Sequence, residues 1–186
     1  MTAEEIIKDA VHKMNRAVEV TREEFSGVRT GRATPSILNR VIVDYYGTQT
    51  PMNQLASFSV PEPRLLVIQP FDRNAMASME KAIMQSDLGL TPSNDGNVIR
   101  LAFPPLTEER RKELSKLVHA RAEEGRVAVR NVRRHAKEEL ERLEKNHEIS
   151  EDELNRSEKE LQKHTDDHVS QIDELMSHKE TELMEV

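Results

Sequence analysis

From Ile7 onward the apolar residues recur at Ile7, Val11, Met14, Val18, Phe25 and Val28, with Thr21 filling the one gap. Steps of three and four place them on one face of a helix, which predicts a long amphipathic segment that loosens at Gly27 and Gly31. After Thr30-Gly31-Arg32-Ala33-Thr34-Pro35 the period changes. Val41-Ile42-Val43-Asp44-Tyr45-Tyr46 is β-branched and aromatic and stops at Gly47; residues 55–60 and 65–68 follow, punctuated by Pro51, Pro61, Pro63 and Pro70. These read as short strands. Asp72 is placed to cap a helix through Met76, Met79, Ala82 and Ile83, in which Met76, Met79 and Met84 read as core filler. Asn94-Asp95-Gly96 then turns the chain into a strand over residues 98–103, which Pro104-Pro105 stops.

Thr107 supplies a cap hydroxyl ahead of Glu108 and Glu109, and a very long helical pattern runs on to about His147. Ser150-Glu151-Asp152-Glu153 has capping-box spacing and opens a last helix with Leu154, Leu161, Ile172, Leu175 and Leu183 among its apolar positions. Each long helix must bury its stripe, and the simplest way is against the other two. The pattern therefore predicts an α+β chain: an elongated antiparallel three-helix bundle from residues 1–29 and 106–186, carrying a small inserted β/α/β domain over 30–105. Two connections, near 29–32 and 103–106, predict an L-shaped molecule with a hinge at Thr30, Gly31, Arg32, Pro104 and Pro105.

Composition agrees with this outline. Of 186 residues 36% are hydrophobic and 33% charged, while only 3% are aromatic and none is Trp, which suits helices packed by aliphatic side chains. The absence of Cys excludes disulfides, thiolate nucleophiles and Cys-ligated metal. The acidic start lacks a basic n-region and an apolar h-region, and no apolar run approaches the ~20 residues of a spanning helix. A cytoplasmic protein without a membrane partner is expected.

The net charge of −7 conceals an uneven distribution. Residues 110–137 carry ten Lys/Arg against three Asp/Glu, and residues 138–186 carry six against 17. On a wheel of 100° per residue, Lys112, Lys116, His119, Arg126, Arg130, Arg133, Arg134 and Lys137 share a sector of about 100°. Leu114, Val118, Val129, Val132, Ala136, Leu140 and Leu143 cluster roughly opposite. The basic stripe is therefore expected to face away from the core. Only Glu123 interrupts it, so neutralising partners along the helix are few, and Arg, whose planar fork grips phosphate, dominates its second half. With few aromatics for stacking single strands, folded RNA read by shape and charge suits such a rod. A solvated charged face, or an adaptor bundle holding an acidic protein, is the competing reading.

Catalytic signatures are missing. The six glycines stand at 27, 31, 47, 89, 96 and 125, so neither a Walker A loop nor G-x-G-x-x-G can be written. His164 and His168 lie four apart beside Asp167, a ligand-competent spacing, but without H-E-x-x-H a plain surface pair is the simpler reading. No catalytic residue, cofactor or metal site is expected.

Six separated motifs carry a resemblance: Arg29-Thr-Gly-Arg-Ala-Thr-Pro35, Asp44-Tyr-Tyr-Gly47, Gln54-Leu-Ala-Ser57, Ser86-Asp-Leu-Gly-Leu90, Pro105-Leu-Thr-Glu-Glu-Arg-Arg111 and Val129-Arg-Asn-Val-Arg-Arg134. In this order, over the whole length, they resemble the bacterial ribosome recycling factors. The resemblance implies a three-helix bundle with a β/α/β domain at its hinge, in an outline like transfer RNA. It also implies a monomeric, non-enzymatic translation factor that binds the large ribosomal subunit after termination. With elongation factor G and GTP, such a factor splits the ribosome for reuse. Contacts to ribosomal RNA are implied at Arg29, Arg130, Arg133 and Arg134; with the stripe, Lys112, Lys116, Arg126 and Lys137 complete the expected binding face. Elongation factor G is expected to push on the smaller domain and hinge.

Overall fold

The computed structural model describes residues 1–185, which form helix α1 (Ala3–Ser26), strands β1 (Ile42–Tyr45), β2 (Thr48–Pro51), β3 (Ala56–Glu62) and β4 (Leu65–Pro70), helix α2 (Met76–Gln85), strands β5 (Pro92–Asn94) and β6 (Ile99–Ala102), and helices α3 (Glu108–Lys145) and α4 (Glu151–Met184). They divide into two compact units, one of Met1–Arg29 with Glu109–Met184 and one taking in Thr30–Glu108.

In the first unit α1 starts earlier than its apolar period indicates, because Thr2 and Glu5 close a reciprocal capping box: the Glu5 N–H donates to Thr2 Oγ1 at 3.2 Å and the Thr2 N–H to Glu5 Oε2 at 2.8 Å. Ile6, Ile7, Ala10, Met14, Val18, Thr21 and Phe25 are buried along its inner face. Lys13 feels the charge of Glu139 and Thr21 faces Gly125, so α1 runs antiparallel to α3. Ion pairs of α3 with Asp173 and Glu158 set α4 antiparallel to α3 as well. α1 and α4 are thus parallel, with Asn15 beside His168, and their backbones make the closest approach in the bundle. Small buried side chains, Ala3 and Ala10 on one helix and Ser157 and Thr165 on the other, permit it.

The second unit holds a four-stranded antiparallel sheet in the order β3-β4-β6-β5, beside a separate β1-β2 hairpin. Leu66 pairs with Leu101 and Ile68 with Ile99, and all four are fully buried, as the two-residue period of a one-sided sheet requires. Val43, Met52, Met79 and Ile83 complete the core with them. Met84 does not join it: its side chain is exposed, contrary to the reading of the three methionines as core. The hairpin turns on Tyr46 and Gly47, both at positive φ (50° and 82°), the backbone a two-residue primed turn demands.

Asp72 caps the turn Arg73–Ala75 by accepting from the Asn74 N–H at 2.9 Å, and it also accepts from the hydroxyls of Tyr45 (3.1 Å) and Tyr46 (3.0 Å). The Asn74 amide first, then the Tyr46 hydroxyl, hold its carboxyl below the usual range. Tyr46 and Phe71 are largely exposed. The few aromatics are therefore not all committed to the core.

Candidate nucleic-acid interface

The basic sector lies on α3, and its edge is nearer the core than its centre. Measured from the middle of the apolar stripe, Arg133 and Arg126 stand about 65° and 85° round the helix, whereas Lys116 and Arg134 stand about 165° away. The near edge is the flank that α4 covers. Arg126 is only 16% exposed; its guanidinium donates to Asp173 Oδ1 at 2.7 Å, to Glu123 Oε2 at 3.0 Å and to the Met176 sulfur at 3.5 Å. Burial penalises its charge, but Asp173 and Glu123 more than offset this and raise its pKa above the ordinary guanidinium value.

The expectation of a stripe facing wholly away from the core is therefore corrected. Arg126 is a packing residue between α3 and α4. His119 Nε2 meets Glu180 across the same seam. Lys137 Nζ reaches Glu158 at 3.3 Å and Glu141 at 3.7 Å, and Arg130 lies 3.3 Å from Glu123, the one acid inside the stripe. Carboxylates of α4 thus neutralise part of the stripe, as close antiparallel packing of a basic and an acidic helix favours.

The rest of the face is open. Arg29, Lys116 and Arg134 are exposed and Arg133 is half-buried; among the described residues none of the four has an ion-pair partner. Lys112 is exposed on the second turn of α3.

Positions 119, 126 and 133 are one heptad apart on α3, and 180, 173 and 166 one heptad apart on α4. One of these rungs is closed by the Arg126–Asp173 ion pair and another by the contact of His119 with Glu180. The third is not: Asp166 accepts from Gln162 Nε2 at 2.8 Å, and Arg133, with Lys137, instead walls a groove of about 250 Å³ with Asn155, Glu158, Lys159, Leu161 and Gln162 of α4. These α4 residues carry no sequence motif, and only the antiparallel register brings them to Arg133.

The histidine pair also differs from its reading as a surface feature. His168 is buried in the 161, 165, 168, 172 stripe of α4, its Nε2 2.8 Å from Asn15 Oδ1 and its Nδ1 against the His164 carbonyl. Both ring nitrogens are engaged within the bundle, and among the described residues no group of three or more His, Asp or Glu side chains could hold a metal ion. No helix of the described residues is long and apolar enough to cross a membrane. At the expected hinge Thr30 is buried, Arg32, Pro104 and Pro105 are exposed, and Gly31 takes φ 77°, a backbone that L side chains resist.

Residues 21–184 match the family model described as "Ribosome recycling factor". The ribosome-recycling factor of Geobacillus kaustophilus is 59% identical over 184 residues, spanning 99% of this chain and all of that protein. The factor of Carboxydothermus hydrogenoformans is 55% identical, over 98% of this chain and 99% of that one. Among solved structures, a solution structure of the ribosome recycling factor superposes with a TM-score of 0.75 at 47% identity, covering 100% of this chain and 99% of that one. A second, the T. thermophilus factor described with E. coli elongation factor G on the E. coli post-termination complex, gives 0.66 at 47% identity over 98% of this chain and 99% of that one. Likeness of this extent in sequence, reaching through both structural units, leaves one assignment: the chain belongs to the ribosome recycling factor family.

Proposed function

We propose that this chain is a monomeric, cytoplasmic translation factor that docks on the large ribosomal subunit after termination and, with elongation factor G and GTP, splits the post-termination complex. The observation that carries the docking surface is the set of basic side chains without an ion-pair partner among the described residues, Arg29, Lys116, Arg133 and Arg134; Lys112 is exposed beside them, and Arg130, shared with Glu123, flanks them. Unneutralised cations along one rod attract RNA phosphate and release condensed counterions on binding. Arg126 and Lys137 serve the bundle and flank this surface. The chain has no glycine pattern that could cradle a nucleotide phosphate, so GTP is bound and hydrolysed by the partner. Gly31, Pro104 and Pro105 are assigned to the hinge on which the partner's force acts.

Sedimentation of post-termination ribosomes tests the assignment: subunits should separate with this protein, elongation factor G and GTP together, and with neither protein alone. Arg133→Ala should weaken binding to large subunits by about 1–3 kcal/mol, the range for a charge-assisted contact, with only a small loss of thermal stability from its half-buried stem. Splitting by elongation factor G alone, or unchanged binding by Arg133→Ala, would overturn it.

A further inference from the structure

The face of α4 that meets α3 changes character along its length. Asp173 and Glu180 meet Arg126 and His119, whereas beside Arg133 the same face presents Asn155, Lys159 and Gln162 together with one acid, Glu158. Glu158 is drawn to Lys137 and Asp166 is held by Gln162, so neither acid pairs with Arg133. Lys159 is exposed and, like Arg133, has no ion-pair partner among the described residues. Two uncompensated cations from two helices thus line one groove of about 250 Å³ with the buried Leu161; the Lys137–Glu158 pair completes its wall, its two charges offsetting each other and leaving the groove with an excess of positive charge. Two like charges that share a concave site repel in the absence of an anion, and the low-dielectric wall at Leu161 sharpens their field.

The geometry points to a phosphate-binding cleft in which Arg133 of α3 and Lys159 of α4 grip the same backbone phosphate of ribosomal RNA. Arg133 supplies the planar fork and Lys159 the mobile point charge. The Asn155 amide and the Gln162 carbonyl, which the bond from Gln162 Nε2 to Asp166 leaves unused, belong to residues that line the same groove and suit a ribose 2′-hydroxyl, which both donates and accepts. A groove of about 250 Å³ has room for a phosphate and its ribose. The assignment rests on the reading that the bundle docks on ribosomal RNA, and it extends that surface from α3 onto α4.

Equilibrium binding of the full chain to large subunits, repeated across a salt series, tests it with Lys159→Ala, Lys159→Arg, Arg133→Ala and the double variant. Lys159→Ala should weaken binding about 5–10-fold and lower the slope of log K against log salt by about one, the signature of one lost phosphate contact. Lys159→Arg should stay within about twofold of the parent. The double variant should lose less than the product of the single losses, because both side chains hold one phosphate. Unchanged affinity in Lys159→Ala beside weakened binding in Arg133→Ala would remove the cleft and leave RNA docking by α3 intact; unchanged affinity in both would remove the docking surface itself. Weakened binding with an unaltered salt slope would place a protein carboxylate in the cleft and overturn the phosphate assignment. Parent-like melting of each variant excludes misfolding as the cause, since Lys159 is exposed.

Discussion

Arg126 of α3 donates to Asp173 of α4 at 2.7 Å from a position only 16% exposed, which separates it from the basic residues that share its sector of the helix. Its alkyl stem fills space between the helices and its head group is shared between Asp173 and Glu123. Arg126→Ala should therefore cost about 1–3 kcal/mol of stability, through lost packing and an Asp173 carboxylate left without its partner, while Glu123 keeps Arg130. Ribosome affinity at a temperature where the variant is folded should change little. The mirror result is expected of Lys116→Ala: stability within about 0.5 kcal/mol of the parent, and weaker binding that fades at high salt. Urea titration beside binding curves reads both. A variant pair with the two effects exchanged would return Arg126 to the docking face.

Gly125 is the point where the three helices of the first unit meet. A Cβ placed there would stand well inside van der Waals contact of Thr21 Oγ1 and 3.2 Å from Ile172 Cδ1. Alanine ordinarily gains about 1 kcal/mol over glycine in a helix interior. Here overpacking, typically about 1–3 kcal/mol, opposes that gain, and Thr21 cannot yield without giving up the bond from its hydroxyl to the Ala17 carbonyl. Gly125→Ala should be net destabilising, and Thr21→Ala should rescue it, because the remaining Thr21 Cβ lies at an ordinary 3.5 Å. A double-mutant cycle should give a coupling of about 1 kcal/mol or more in the rescuing direction. Additive effects would mean that the helices move apart freely at this level.

The long elements were legible because their hydrophobic steps of three and four persist over many turns. Thr21, read as filling a gap in the apolar series, is buried as that reading requires. β2 and β5 escaped notice for physical reasons: the first is Thr48–Pro51, with polar residues pointing outward, and the second is three residues long, so neither shows a hydrophobic alternation. At the site, a helical wheel places the cations of α3 in one sector but cannot say which flank a second helix covers. That depends on the register of α3 against α4, and the only sequence trace of it is the matched heptads through 126 and 173. His168 was legible in retrospect, since Leu161, Thr165, His168 and Ile172 continue one buried stripe.

Gly31 holds φ 77° in the segment assigned to the hinge. Valine there must adopt a left-handed backbone that β-branched residues disfavour, at about 1–2 kcal/mol. Gly31→Val should keep most of its affinity for large subunits, since the basic face on α3 is untouched, yet split post-termination complexes more slowly with elongation factor G. Parallel binding and splitting assays on one preparation check this. Equal loss in both would remove the hinge role.

Asp95 provides a pH test confined to the second unit. Its Oδ1 accepts from the backbone N–H groups of Val98 (3.0 Å) and Asn97 (2.9 Å), and its Oδ2 from Arg100 at 2.8 Å. The Val98 amide, then the Asn97 amide and the Arg100 guanidinium, lower its pKa from 3.8 to about 2. Because the folded value lies below the unfolded one, the carboxylate contributes stability above about pH 4, and that contribution is lost as the pH falls through 3.8 toward 2. Carboxyl chemical shifts should show Asp95 titrating near pH 2, with the amides of Asn97 and Val98 moving in step. Asp95→Asn should abolish that transition and flatten the acid limb of stability in proportion. A midpoint near 4 would mean that the turn between β5 and β6 does not hold these bonds in solution.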